Sequence, residues 1–225
     1  MVVAPLPATA AGPYDIRLPA SSEGVDPQAL TVVGSIQHYR IKKGDDLLEL
    51  ARHYGLGFSE LGVLYRHWDP FILPAGAEIT IPTLWIVPNN HGNQIIVNTG
   101  EMRLYYYINH NTQVYTFPIG MGGLDFRTPQ GKFRVVGKKV NPAWHIPKSL
   151  QAKYGMAVMP PGGGNPMGDY KLTLSWGDYG IHGTAMPLGV GRLVSRLHPH
   201  VSGAHQTIVS HGTGGHLGGV CLRTG

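Results

Sequence analysis

Between residues 37 and 83 the spacing of apolar positions changes twice. Tyr39 and Ile41 alternate with polar neighbours, which predicts a short strand. Leu47, Leu50, Ala51 and Tyr54 then recur at i, i+3, i+4 and i+7, the apolar stripe of a helix. Asp46 precedes that stripe and Glu49 follows three residues later, the pattern of a capping box, while Gly55 ends the stripe. Ser59 opens a second helical pattern on Leu61, Leu64, Tyr65 and Trp68. A loop with Pro70 and Pro74 leads to a second strand, Glu78 to Ile81, closed by Pro82. The prediction is a small strand–helix–helix–strand unit.

From Trp85 onward the period falls to that of strands. QIIVN (94–98) and EMRLYYYI (101–108) flank Thr99-Gly100 as a hairpin would. TQVYTFPIG (112–120), GKFRVVGKK (131–139) and Tyr170 to Leu174 are further β runs, and 158–172 opens as a Pro/Gly loop. Together they predict one mainly β domain, a sandwich or barrel. Residues 1–36, rich in Ala, Pro, Ser and Gly, read as an extended lead-in. Their start resembles a signal-peptide cleavage region but lacks a charged n-region and a full apolar h-region, so a clipped export signal and a disordered N-terminus both remain open.

Composition narrows the function. With 32 Gly, 18 Pro and 14% charged residues, the chain is turn-rich rather than a helical bundle. A net charge of +5 suits an anionic polymer, but no dense Lys/Arg cluster points to nucleic acid. No run is long and apolar enough to be an integral membrane segment. The single cysteine, Cys221, excludes an internal disulfide framework, and no ligand spacing calls for zinc or another cofactor.

Residues 37–83 resemble a LysM module. Tyr39, Gly44-Asp45, Leu48, Ala51, Tyr54, Leu61, Gly76 and the Ile79 to Pro82 end carry the likeness. It implies binding to glycan strands such as those of peptidoglycan. The family's usual Asn after the second helix is replaced by HWDP (67–70). Residues 93–195 resemble the L,D-transpeptidase catalytic domain of YkuD-like type. VNTGEMRLYYY, TFPIGMGG, TPQGKFRV, NPAW, PPGGGNPMGDY and IHGTAMPLGVGRLVS appear in that family's order. The resemblance implies a β-sandwich preceded by the small βααβ module, located in the periplasm or cell envelope and acting on peptidoglycan stem peptides. A cysteine thiolate would attack the carbonyl between meso-diaminopimelate and the terminal D-alanine. His182 would be its acid/base, Gly183 and Thr184 would shape the turn beside it, and Ser195 would line the substrate site. A local backbone carbonyl would orient the imidazole.

The nucleophile is missing. The family motif continues as SHGC, with the cysteine 16 positions after the histidine; here that position is His198. The tail 196–225 holds five of the 12 histidines, none of the 13 acidic residues and no Phe, Tyr or Trp. Within codon degeneracy, Ser195 to His200 can be written TCG CGG CTG CAT CCG CAT. Regrouped after the first base of codon 196, the run reads Gly-Cys-Ile-Arg, and permitted codons extend it to GCIRMYPEHIKQLF, the family's nucleophile motif and following helix. The sequence therefore predicts a frameshift near codon 196, two bases lost or one gained, a catalytic domain truncated at 195 and a poorly structured tail. A genuinely divergent tail is the alternative.

Two features of the tail compete with that reading. SHGTGGHLGGVCLR (210–223) mimics a displaced motif with Cys221 as nucleophile, but its Gly-rich insertion would part the thiol from its oxyanion donors. His200, His205, His211 and His216 suggest a metal site, although an out-of-frame product explains them more simply. The functional expectation is an L,D-transpeptidase inactive in this chain; the alternative is a non-catalytic peptidoglycan-binding envelope protein.

Overall fold

The computed structural model describes residues 11–16, 31–122, 128–177, 179–183, 193–194, 200–201 and 219–223. The described strands are β1 (Ala11–Asp15), β2 (Thr31–Arg40), β3 (Glu78–Val87), β4 (Ile95–Asn98), β5 (Arg103–Ile108), β6 (Gln113–Pro118), β7 (Met121–Gly122), β8 (Gly131–Val140), β9 (Trp144–His145), β10 (Val158–Met159), β11 (Tyr170–Leu174), β12 (Gly180–His182), β13 (Leu193–Val194), β14 (His200–Val201) and β15 (Gly219–Arg223). The helices are α1 (Leu47–His53), α2 (Phe58–Gly62) and α3 (Lys148–Tyr154).

The unit expected at 37–83 is present as β2–α1–α2–β3. Asp46 caps α1, its Oδ1 accepting from the Glu49 N–H at 2.8 Å. The Glu49 side chain turns instead to Arg52, 3.0 Å away. The second helix is shorter than its apolar pattern suggests. It starts from Gly57, whose N–H donates to Glu60, and beyond Gly62 the chain proceeds in turns with Leu64 half exposed. Tyr65 still packs inward, because the Thr80 N–H donates to its hydroxyl at 2.6 Å. Ile41, Leu47, Ala51, Leu56, Leu61, Ile79 and Ile81 form the core, each no more than 2% exposed.

The strands of this unit outrun the expectation. Thr31 pairs with Val87 and the ladder continues unbroken to Arg40 with Glu78, so Pro82 lies inside β3 opposite Ile36. A two-stranded ribbon tolerates this, since alternate backbone nitrogens face outward and need no partner. β1 was also hidden in the lead-in; it pairs antiparallel with β6.

Nine of the described strands form a sheet in the order β1-β6-β5-β4-β15-β8-β11-β12-β14, while β9 with β10 and β7 with β13 make separate pairs. Ile95, Val97, Leu104, Tyr106 and Phe117 from one half share a core with Leu172, Leu174 and Ile181 from the other, so the sheet folds over on itself. The opposite face of β4–β6 carries Ile96, Tyr105, Tyr107 and Val114 and shares a core with the βααβ unit.

Of the tail at 196–225, residues 200–201 and 219–223 are described, the latter as β15. It lies between β4, parallel, and β8, antiparallel. Ladder bonds are made by backbone alone, and Val220 and Leu222 are acceptable strand residues, so composition was a weak guide to this segment.

Candidate active site

His182 ends β12. Its strand is positioned by β11, with Lys171 opposite His182, Leu172 opposite Ile181 and Thr173 opposite Gly180. Leu172 and Ile181 anchor the ladder in the core, at 0% and 1% exposure. Strand alternation then turns His182 to the other face, where it is itself buried. The imidazole Nδ1 donates to the carbonyl of Gly183. A carbonyl can only accept, so Nδ1 carries the hydrogen, and in the neutral ring Nε2 is left as the basic nitrogen.

Gly183 continues the anchoring: its N–H donates to the Tyr170 carbonyl at 3.1 Å. A Cβ there would sit 3.5–3.6 Å from Gly168, Asp169 and Met167, so the turn after His182 lies directly on the 167–169 loop. That loop is held by Asn165, which is 2% exposed. Its Nδ2 donates to the carbonyls of Pro142 and Pro160 at 3.0 Å each, and its Oδ1 accepts from the Met167 N–H at 2.9 Å. Trp144, Ile146, Leu150 and Met167 form a small separate core behind it.

Two supporting residues escaped the sequence reading. Asn165 lay within the quoted PPGGGNPMGDY block, yet only the fold reveals its partners. Gly180 has a sharper requirement, since a Cβ would fall 2.6 Å from the Leu172 carbonyl oxygen. The signal was there as a glycine two residues before the histidine, in a strand too short to stand out.

The other candidates separate from His182. Thr184, Ser195 and His198 lie outside the described residues. β13, just before Ser195, runs parallel to β7, and β14 runs parallel to β12, so the chain returns beside the histidine strand at His200–Val201. Cys221 is placed by its backbone opposite Lys132 on β8. The line from His182 through Lys171 instead meets β8 at Lys139. Seven residues of strand between Lys132 and Lys139 correspond to roughly 20 Å. The backbone register therefore does not bring Cys221 opposite His182. Of the tail histidines, only His200 falls among the described residues, and only by its backbone. No helix among the described residues is long and apolar enough to cross a membrane.

Comparison with known proteins places this segment in a family. The family model of the YkuD L,D-transpeptidase catalytic domain matches residues 92–212. The chain is 32% identical to the probable L,D-transpeptidase YcfS of Escherichia coli K12, over 83% of this chain and 62% of that protein. It is 35% identical to the probable L,D-transpeptidase YbiS of the same organism, over 73% of this chain and 56% of that one. The putative L,D-transpeptidase YkuD of Bacillus subtilis is 30% identical over 70% of this chain and 82% of its own length. Among solved structures, the catalytic domain of the E. faecium L,D-transpeptidase acylated by ertapenem aligns over 59% of this chain and 97% of that one, with a TM-score of 0.44 and 18% identity. This chain belongs to the L,D-transpeptidase catalytic domain family. It spans about three fifths of the two E. coli relatives.

Proposed function

We propose that the gene behind this chain encodes an L,D-transpeptidase of the cell envelope that acts on peptidoglycan stem peptides, and that the chain as it stands lacks the nucleophile. The observation carrying the reading is the His182 arrangement within the family-matched segment: Nδ1 is tied to Gly183, which leaves Nε2 as base. In the working enzyme a thiolate, its proton taken up at Nε2, attacks the carbonyl that joins meso-diaminopimelate to the terminal D-alanine. The C–N bond breaks, the proton passes to the departing amine, and a thioester remains. An acceptor amine then attacks the thioester and the thiolate is released. Backbone N–H groups beside the cysteine would hold the oxyanion.

No residue of the chain supplies that thiol. Spacing from His182 leads to His198. The matched segment runs on to residue 212 and ends on Ser210-His211-Gly212, but Thr213 follows. Cys221 lies on β15, opposite Lys132 on β8, which argues against it as the thiol. A frame lost near codon 196 would account for the cysteine missing at position 198, since two restored bases give His-Gly-Cys-Ile-Arg directly after Ser195. Sequencing the gene across codons 190–225 tests this; an unshifted, uninterrupted frame would defeat it. With the frame restored, the protein should release D-alanine from a disaccharide-tetrapeptide, and no release would reject the substrate.

Within the same proposal, the unit at 37–83 is a LysM module that binds glycan strands. Its βααβ order supports this. Binding of the full chain to purified sacculi, lost when the 42–46 and 69–75 loops are exchanged for Gly/Ser, is the expected result. Retention unchanged by the exchange would reduce the unit to a spacer.

A further inference from the structure

Arg103 is the largest charged side chain in the core, 1% exposed, and lies outside the His182 site. Its Nη1 donates to both Glu60 carboxylate oxygens at 2.8 Å, Nη2 to the Gly55 carbonyl at 3.0 Å, and Nε to Thr116 Oγ1 at 2.9 Å. The guanidinium also sits 4.4 Å from the centre of the Trp85 ring. Arg103 and Thr116 belong to the sheet; Glu60, Gly55 and Trp85 belong to the βααβ unit. A guanidinium so far from water needs every one of these acceptors, so the pair holds only while the two parts are together. Glu60 is fixed from its own side, because it also accepts from the Gly57 N–H at the start of α2.

The connection between the parts is equally constrained. Tyr107 donates its hydroxyl to the Pro88 carbonyl. The Asn90 carbonyl accepts from the Asn93 N–H at 2.7 Å and its side-chain amide at 2.8 Å. Ile96, Tyr105, Tyr107 and Val114 complete an apolar seat continuous with Trp85 and Val87.

We propose that the β5–β6 face around Arg103 is a docking surface for the 31–87 unit of the same chain, latched by Glu60, so that unit and sheet act as one rigid body instead of a module on a tether. The inference stands whatever the unit binds and whether or not the chain is catalytic.

The test places a site-specific protease sequence between His91 and Gly92, in the exposed turn. After cutting, the two pieces of the otherwise unchanged chain should co-elute on size exclusion at micromolar concentration. With Glu60→Gln or Arg103→Met, the cut pieces should separate, with dissociation at least tenfold easier. Glu60→Gln keeps the helix and most of the shape, so it carries the test where Arg103→Met fails to fold. Separation of the unchanged pieces on cutting would overturn the docking. Equal co-elution of unchanged and Glu60→Gln pieces would overturn the latch.

Discussion

At Tyr39 one side chain joins the first strand to the loop before α1. Its hydroxyl donates to Asp45 Oδ2 at 2.8 Å, and the same oxygen accepts from the Lys42 N–H. Desolvation, then the hydrogen bond to Asp45, pushes the Tyr39 hydroxyl up to about 12. The folded state therefore holds this proton more tightly than the unfolded chain. The stabilisation is complete below pH about 10 and is lost as pH rises toward about 12. Burial raises Tyr105 and Tyr107 in the same direction. Melting temperature should fall as pH climbs past 10, and Tyr39→Phe should flatten part of that fall; a melting temperature constant from pH 9 to 12 would contradict the assignment. Asp46→Ala removes the cap of α1 and should cost about 0.5–2 kcal/mol in urea unfolding. The cap was legible because Asp46 and Glu49 stand at the required interval. The Arg103 latch was not, because its partners come from positions 55, 60, 85 and 116, and no local pattern links them.

Among the elements, those with a clean period were readable: β4, β5, β6, β8 and β11 fall within or overlap the expected runs, and α1 follows its apolar stripe. The failures have physical causes. α2 stops at Gly62, although Leu64, Tyr65 and Trp68 keep helical spacing, because turns can also bring Tyr65 and Trp68 onto the core. Pro82 reads as a strand terminator only if both strand edges are occupied. β12 is three residues long and carries no usable period, yet it bears the histidine. The short strand has little tolerance: Gly180→Ala would drive a methyl into the Leu172 carbonyl and should cost about 1–3 kcal/mol, as overpacking does. Leu61→Ala, at a fully buried position of α2, should cost about 2–5 kcal/mol. Both are measurable by urea titration. A Gly180→Ala protein of unchanged stability would mean that β12 is free to shift.

Across the whole molecule, the folded sheet carries the βααβ unit on its outer face and the buried His182 at the end of β12. Family order from residue 97 to 195 was visible in the motifs, whereas the placement of β15 was not, since backbone pairing leaves no mark in composition. Under the proposed function, His182 is a competent base deprived of its cysteine by a shifted frame. Intact-mass spectrometry after exposure to ertapenem tests it most directly. This chain should gain no mass, while a chain restored to SHGCIRMYPEHIKQLF after Val194 should carry one covalent adduct on the new cysteine. His182→Ala in the restored chain should slow the adduct by ~10²–10⁴-fold. An adduct on the unrestored chain, mapped to Cys221, would contradict the account.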